Sequence, residues 1–263
     1  MSHRLAGFTT RPFTLLNETR DVFITGNGPA VVILTEVPNI TPEVAKFAQR
    51  VADAGFRIYM PQLFGTPGKP FSHLSAAQTL THVCISREFR VLAANESSPI
   101  IDWLRALARE AHSECGGPGV GVVGMCVTGN FGLAMMLDAP VIAPVLSQPS
   151  LPVGPLPSQR AGLHASSVEI EAAHDKINNH GARILAMRFE GDLLCPGERF
   201  RRLREEFGDA VETIEIADRH AKKGTGVPAH SVLTTHLIDA DGEPTRAALD
   251  RTLSFLKEQL VTS

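Results

Sequence analysis

The sequence predicts an α/β fold with a mostly parallel central sheet and helices on both faces. Three observations indicate it. The chain has 263 residues, a length that suits one large domain. Hydrophobic residues make up 43% of it, which is typical of a globular chain with a buried core. Short β-branched runs alternate with amphipathic segments, as they do in successive β–α units. No internal repeat interrupts this alternation, so we expect a single domain over residues 1–263.

The predicted strands are short apolar runs bounded by glycine and proline. Two of them, residues 30–35 and 120–124, are apolar without alternation, which indicates strands covered on both faces. The strands are expected at residues 21–25, 30–35, 56–60, 120–124, 141–146, 183–189 and 211–216.

The predicted helices begin at recognisable capping signals. Thr41 precedes Pro42, and Ser98 precedes Pro99, so each pair supplies an N-cap and a first helical residue. The helices are expected at residues 42–54, 99 to about 116, 131–137, 170–179, 196–207 and 245–260. Proline and glycine in residues 61–75, and four prolines in residues 147–167, predict surface loops there.

Composition excludes several classes of function. The 25 basic and 28 acidic residues give a net charge of −3, and aromatics are only 6%, so a nucleic-acid partner is disfavoured. No segment is a candidate for a membrane-spanning helix, and the N-terminus lacks the apolar core of a signal peptide. The four cysteines form no C-x-x-C pair and have no zinc-ligand spacing. We therefore expect a cytoplasmic monomer or homodimer with reduced thiols, no metal, no cofactor and no membrane partner.

A candidate nucleophile lies where the strand at residues 120–124 turns into a helix. Gly124 permits a sharp turn there, which would present Cys126 above the end of the strand, as in a nucleophile elbow. The following helix would favour a thiolate, and the Val127 N–H could stabilise an oxyanion. A buried structural cysteine is the competing interpretation.

A candidate acid and a candidate base follow in the order that hydrolases with this turn require. Asp192 follows the strand at residues 183–189, although it could simply cap a helix. Two histidines follow the strand at residues 211–216. His220 has the shorter spacing but charged surroundings, whereas His230 lies between a Pro-Ala pair and an apolar run that could hold its ring. We favour His230 as the base, with Asp192 orienting it.

Three further residues could serve the same site. Glu36 ends the strand at residues 30–35, so its carboxylate should lie at the carboxyl edge of the sheet, although it could also be a solvated turn residue. The N–H of Val37 could be the second oxyanion donor. Arg87 could bind a substrate carboxylate in bidentate fashion, or it could form a surface ion pair with a nearby glutamate.

Over about residues 20–260 the sequence resembles the dienelactone hydrolases of the α/β-hydrolase superfamily. The motifs that carry the resemblance are ILTEV at residues 33–37, AGF at 54–56, MPQLF at 60–64, GMC at 124–126, FEGD at 189–192 and PAHSVLT at 228–234. The resemblance implies an α/β-hydrolase fold and a Cys–His–Asp triad, Cys126, His230 and Asp192, that hydrolyses a small ester or lactone. It also implies that Glu36 contacts the resting thiol and helps to deprotonate it. Gln62 and Thr128 depart from the family pattern, which usually has Asp and Gly there.

Two other classes of function compete with an ester hydrolase. A glutamine amidotransferase-like protein would also present a cysteine at such a turn, but it needs a His-x-Glu after the last strand, and no histidine beyond Cys126 has it. A non-catalytic hydrolase-like domain that binds a ligand or senses oxidants through its thiol remains the alternative, because of the departures at Gln62 and Thr128.

Overall fold

The computed structural model describes residues 5–15, 17–85, 98–137, 140–151 and 154–261. Within them, eight strands form one sheet in the order β1-β2-β4-β3-β5-β6-β7-β8. The strands are β1 (Thr9–Leu15), β2 (Glu18–Thr25), β3 (Ala30–Leu34), β4 (Arg57–Pro61), β5 (Val120–Met125), β6 (Val141–Ser147), β7 (Ile184–Phe189) and β8 (Val211–Ile216).

The helices of the described residues alternate with the strands from β3 onwards. They are α1 (Pro42–Asp53), α2 (His73–Ile85), α3 (Pro99–Cys115), α4 (Phe131–Met135), α5 (Pro157–Arg160), α6 (Ser167–His180), α7 (Gly197–Phe207) and α8 (Pro244–Leu260). Short 3-10 turns occupy Cys126–Thr128, Gly208–Ala210 and Asp218–His220.

The predicted fold class is confirmed. β1 and β2 pair antiparallel with each other, and β2 pairs antiparallel with β4, while every pair from β4 to β8 is parallel. Every residue of β3, β5, β6 and β7 is buried, which requires cover on both faces of the sheet. The carboxyl ends of these parallel strands meet at one edge, where the candidate site residues follow them.

Three elements differ from the prediction. β1 was not predicted, because it contains Pro12 and alternates exposed with half-buried residues, as an edge strand does. The loop predicted at residues 61–75 ends earlier, since Ser72 caps α2 by accepting a hydrogen bond from the Ser75 N–H at 3.2 Å. The loop predicted at residues 147–167 contains the four-residue helix α5.

Candidate active site

Cys126 lies directly after β5, at a sharp turn between strand and helix. Its φ is +58°, a left-handed conformation that a non-glycine residue rarely adopts. A Cβ on Gly124 would lie 2.2 Å from the Thr128 carbonyl oxygen, so only glycine fits that position. A strained residue at the end of a central strand is the geometry of a nucleophile elbow.

The turn after Cys126 is tighter than a regular helix start. Residues Cys126–Thr128 form a 3-10 turn, and α4 begins only at Phe131 and ends at Met135, two residues before the predicted end. The hydroxyl of Thr128 explains this, because it accepts a hydrogen bond from the Met125 N–H at 3.0 Å and lies 3.1 Å from the Leu34 carbonyl. Thr128 therefore ties the end of β5 to the end of β3. The predicted helix N-terminus at the thiol is thus a 3-10 turn.

The glycine that the motif usually has at position 128 is displaced by one residue. A Cβ on Gly129 would lie 2.4 Å from the Cα of Pro149. The loop after β6 therefore packs directly on the turn, and glycine is required there for close approach.

His230 and Asp192 meet next to this turn. The Nδ1 of His230 lies 2.7 Å from Oδ2 of Asp192. Oδ1 of the same carboxylate accepts a hydrogen bond from the Leu194 N–H at 2.9 Å, which fixes its orientation. Asp192 is buried, so it stands opposite the imidazole with little competition from water.

The environment of His230 favours its cationic form. Burial lowers the pKa of the ring, but the charge of Cys126 and the hydrogen bond that Nδ1 donates to Asp192 outweigh it, so the pKa of His230 is raised well above its ordinary value. An imidazole that is held by a carboxylate and faces a thiol is arranged to accept the thiol proton.

Two buried residues that the sequence did not single out hold the histidine. Nδ1 of His236 accepts a hydrogen bond from the Ser231 N–H at 3.1 Å and from the His230 N–H at 3.4 Å. Burial lowers the pKa of His236, which keeps this acceptor neutral. The hydroxyl oxygen of Ser150 lies 3.4 Å from Nε2 of His230, and the Ser150 N–H donates to the Cys126 carbonyl at 2.9 Å. No one-dimensional pattern links these residues to the site.

Glu36 is buried between the end of β3 and the segment that carries His230. Its carboxylate accepts hydrogen bonds from the hydroxyls of Ser231, at 2.6 Å, and Thr234, and from the amide of Gln148, at 3.2 Å. Glu36 therefore ties the histidine segment to the sheet. It borders the same cavity as Cys126, but within the described part of the chain its carboxylate bonds to these three side chains.

The two predicted oxyanion donors belong to residues that adjoin the thiol. Val127 and Val37 pack with Cys126 and Phe64 in one small apolar cluster. Val127 lies in the first turn of the 3-10 segment, where backbone N–H groups have no partner within the helix.

The other sequence candidates lie away from this site or outside the described residues. His220 is in a surface 3-10 turn, where its Nδ1 is 3.8 Å from Oε2 of Glu243. Gln62 donates from its amide to the Gly65 carbonyl at 2.9 Å and so stabilises a turn. Arg87 lies outside the residues that the structure describes.

A cavity of about 590 Å³ opens beside Cys126. Its polar lining includes Glu36, Asp192, His230 and His236. Its apolar lining comes from Val37, from Phe71 and the first turns of α2, from the residues after Asp192 and from the residues before His230. A cavity of this volume suits a small-molecule ligand.

The described residues contain neither a cluster of metal ligands nor a membrane-spanning helix. No group of three or more His, Cys, Asp or Glu side chains among the described residues is arranged to hold a metal ion. None of the helices that the structure describes has the length and apolar character needed to cross a bilayer.

Comparison with known families decides the relationship. Residues 19–260 match the dienelactone hydrolase family. The chain belongs to the dienelactone hydrolase family. A search of curated protein sequences finds no match.

Solved structures of dienelactone hydrolase-like proteins share the fold of this family member. A dienelactone hydrolase-like promiscuous phosphotriesterase from metagenomic libraries is 16% identical, with a TM-score of 0.65 over 97% of this chain and 100% of that one. A Klebsiella pneumoniae protein assigned as a dienelactone hydrolase is 15% identical, with a TM-score of 0.62 over 95% and 99%. A dienelactone hydrolase from Anabaena variabilis is 14% identical, with a TM-score of 0.57 over 96% and 98%.

Proposed function

We propose that this dienelactone hydrolase family member, a hydrolase of ester- or lactone-type bonds, uses Cys126 as its nucleophile, His230 as its general base and Asp192 to orient the base. One observation carries the proposal. The His230–Asp192 pair, 2.7 Å apart, stands next to a cysteine in the strained turn at the end of β5. All three residues line one cavity of a size that suits a small molecule, which supports the proposal that they act together.

In the first half-reaction the proton of Cys126 passes to Nε2 of His230, and the thiolate Sγ then attacks the carbonyl carbon. Asp192 accepts the hydrogen bond from Nδ1 and stabilises the imidazolium. The N–H groups of Val37 and Val127 stabilise the negative oxygen of the tetrahedral intermediate. The carbon–oxygen bond of the ester then breaks, and His230 returns the proton to the leaving alcohol.

In the second half-reaction water replaces the enzyme thiol. His230 takes a proton from the water as its oxygen bonds to the thioester carbon. The carbon–sulfur bond breaks, the carboxylic acid leaves, and the proton returns to Cys126. The thiol gives up one proton, which His230 receives, and Glu36 assists by tying the histidine segment to β3 beside the same cavity.

Kinetics of four variants test this proposal, with p-nitrophenyl butyrate as substrate. We expect Cys126→Ala and His230→Ala each to lower kcat/KM by about 10⁴-fold or more, and the double variant to be no worse, because the two side chains act as a unit. His220→Ala is the matched control and should stay within about twofold of wild type. If His220→Ala abolishes turnover while His230→Ala does not, or if Cys126→Ala remains active, the assignment is wrong.

A further inference from the structure

A second histidine, His236, lies beside the proposed base, and its side chain is buried. The ring lines the same cavity as His230 and packs edge-on against Phe189, with ring centroids 6.0 Å apart. Its Nδ1 lies 3.1 Å from the backbone nitrogen of Ser231 and 3.4 Å from that of His230, and each of these nitrogens carries a hydrogen. Because two donors meet at Nδ1, this atom must be an acceptor.

The other nitrogen of the His236 ring faces acceptors. Nε2 lies 3.3 Å from the Val227 carbonyl oxygen and 3.1 Å from the Thr225 hydroxyl oxygen. The Thr225 hydroxyl donates its own hydrogen to the same carbonyl at 3.1 Å, so its lone pairs are left for Nε2. The contacts therefore require a hydrogen on Nε2 and exclude one from Nδ1, which selects one neutral tautomer of His236.

Protonation of Nδ1 would break this arrangement. A hydrogen there would point at two N–H groups, so both hydrogen bonds would be lost, and that of Ser231 is buried. Burial lowers the pKa of His236, His230 lowers it further, and the Val227 carbonyl and Asp192 raise it less. The neutral form is therefore the stable one. The titratable side chains that share the cavity with the ring are Glu36, His73, Cys126, Asp192 and His230.

We propose that His236 is a positioning residue for the base: its neutral ring, with the hydrogen on Nε2, fixes the peptide that joins His230 to Ser231. This contact aims the imidazole of His230 at the thiol of Cys126. The inference rests on the proposed function, because His236 acts on the reaction only through the base. An acceptor at the position of Nδ1 is then needed for turnover, and a buried ring of the same shape is not enough.

Two substitutions of His236 separate the acceptor from the shape of the ring. In His236→Asn the Oδ1 atom takes the place of Nδ1 and can accept from both N–H groups, whereas His236→Phe keeps a planar ring and has no acceptor. We expect kcat/KM for p-nitrophenyl butyrate to fall by about 100-fold in His236→Phe, because the base is displaced, and by less than about tenfold in His236→Asn. Equal losses in the two variants would overturn the proposal.

Thr225→Val is the matched control for these two variants. It removes a contact on the Nε2 side of the same ring and leaves Nδ1 with both of its donors. Its kcat/KM should stay within about threefold of wild type, because the base keeps its position. A loss as large as that in His236→Phe would mean that any disturbance of this loop stops turnover, and the proposal would be wrong.

The ionisation of the Cys126 thiol gives a readout that does not need turnover. Ultraviolet difference spectra against Cys126→Ala, recorded over a pH titration, measure the thiolate. We expect the midpoint to rise by at least about one pH unit in His236→Phe, because a displaced imidazolium no longer stabilises the thiolate, and to stay near wild type in His236→Asn. A lower Tm in His236→Phe with an unchanged midpoint would mean that His236 only stabilises the loop, which contradicts the proposal.

Nitrogen-15 spectra of histidine-labelled protein test the tautomer itself. They distinguish a ring nitrogen that carries hydrogen from one that does not, and the signals lost in His236→Asn are those of His236. At neutral pH we expect hydrogen on Nε2 and none on Nδ1. The opposite tautomer, or a ring protonated on both nitrogens, would overturn the proposal. The expected tautomer and thiolate midpoints without any ester hydrolysis would support the positioning role and reject the proposed function alone.

Discussion

Asp192 uses its two carboxylate oxygens for different contacts. One accepts from the Leu194 N–H, and the other faces Nδ1 of His230. An amide at this position would keep the first contact but would present its NH₂ or oxygen to the ring without stabilising an imidazolium. The negative charge of Asp192, more than its shape, should therefore matter for turnover.

We expect Asp192→Asn to lower kcat by about 10³–10⁴-fold with little change in Tm, because the wrong tautomer of His230 is then favoured. Ester hydrolysis and thermal melting measure the two quantities. Asp218→Asn is a suitable control, since Asp218 accepts from the Gly191 N–H at 2.8 Å and supports the same loop without touching His230. Near-normal turnover in Asp192→Asn would remove Asp192 from the triad.

The thiols of Cys115, Cys126 and Cys195 lie in different electrostatic environments. Cys126 faces a cationic imidazole at the cavity, whereas burial raises the pKa of Cys195. Sγ of Cys115 lies 3.5 Å from the Tyr59 hydroxyl on the far side of the fold from the site loops. We expect limiting iodoacetamide to label Cys126 at least about tenfold faster than either, as measured by peptide mass mapping. Faster labelling of Cys195, or of Cys84, would count against the elbow assignment.

At the scale of elements, Glu36 joins the end of β3 to the segment that carries the base. Removing its carboxylate leaves two buried hydroxyls without their acceptor, at a cost of about 1–3 kcal/mol each. Glu36→Ala should therefore lower Tm and reduce kcat/KM to an intermediate extent, about 10–100-fold. Thr234→Val is the comparison variant, because it removes one hydrogen bond and keeps the carboxylate.

The two variants separate two roles of Glu36. If the Glu36 carboxylate also takes part in deprotonating the thiol, Glu36→Ala will lose far more activity than Thr234→Val. The two variants are assayed at a temperature at which both are fully folded. Equal losses of activity would mean that Glu36 only holds the histidine segment in place.

Elements with continuous burial could be predicted from sequence, and elements at the margins could not. The apolar run of β3 and the N-cap of α1 at Thr41 are local signals. In the structure, β3 and α1 both lie close to their predicted bounds. β1 is an edge strand whose pairing with β2 decides its conformation, so its own residues carry little pattern. α2 follows a proline-rich stretch that masks its start at His73.

At the scale of the whole molecule, the site is assembled from segments far apart in the chain. Chain order predicted which residues would follow strands β3, β5 and β7. It could not predict that Nδ1 of His236 accepts hydrogen bonds from the backbone N–H groups of His230 and Ser231. Nor could it predict that Leu193 and Val227 would face one cavity. Such contacts depend on how the loops fold over the sheet edge, and no periodicity encodes them.

His164 makes the stability of the protein sensitive to acid. Its ring is buried, and both nitrogens lack a hydrogen-bond partner among the described residues. Burial, with a smaller effect of Arg199, lowers the pKa of His164 to about 3. The unfolded chain, in which the pKa is near 6.5, binds a proton more readily, so stability is full above pH 6.5 and falls as the pH drops towards 3.

We expect His164 alone to lower the free energy of unfolding by about 2 kcal/mol, or Tm by roughly 5 °C, between pH 7 and pH 5. His164→Asn removes the titrating ring and tolerates the left-handed backbone at this position, where φ is +55°. The variant should show a smaller decrease in Tm over the same interval. An unchanged pH dependence would mean that His164 does not limit acid stability.

As the proposed nucleophile, Cys126 must carry the acyl group during turnover. Acid quenching of wild type during steady-state hydrolysis of p-nitrophenyl hexanoate, followed by peptide mass spectrometry, measures it directly. Thioesters survive the acid quench, so we expect one hexanoyl group on the peptide that contains Cys126 and none in Cys126→Ala. The Ser150 hydroxyl lies 3.4 Å from Nε2 of His230, and Ser150→Ala should still form the adduct. A hexanoyl group on Ser150, or continued turnover with no acylated residue, would contradict the role of Cys126 as nucleophile.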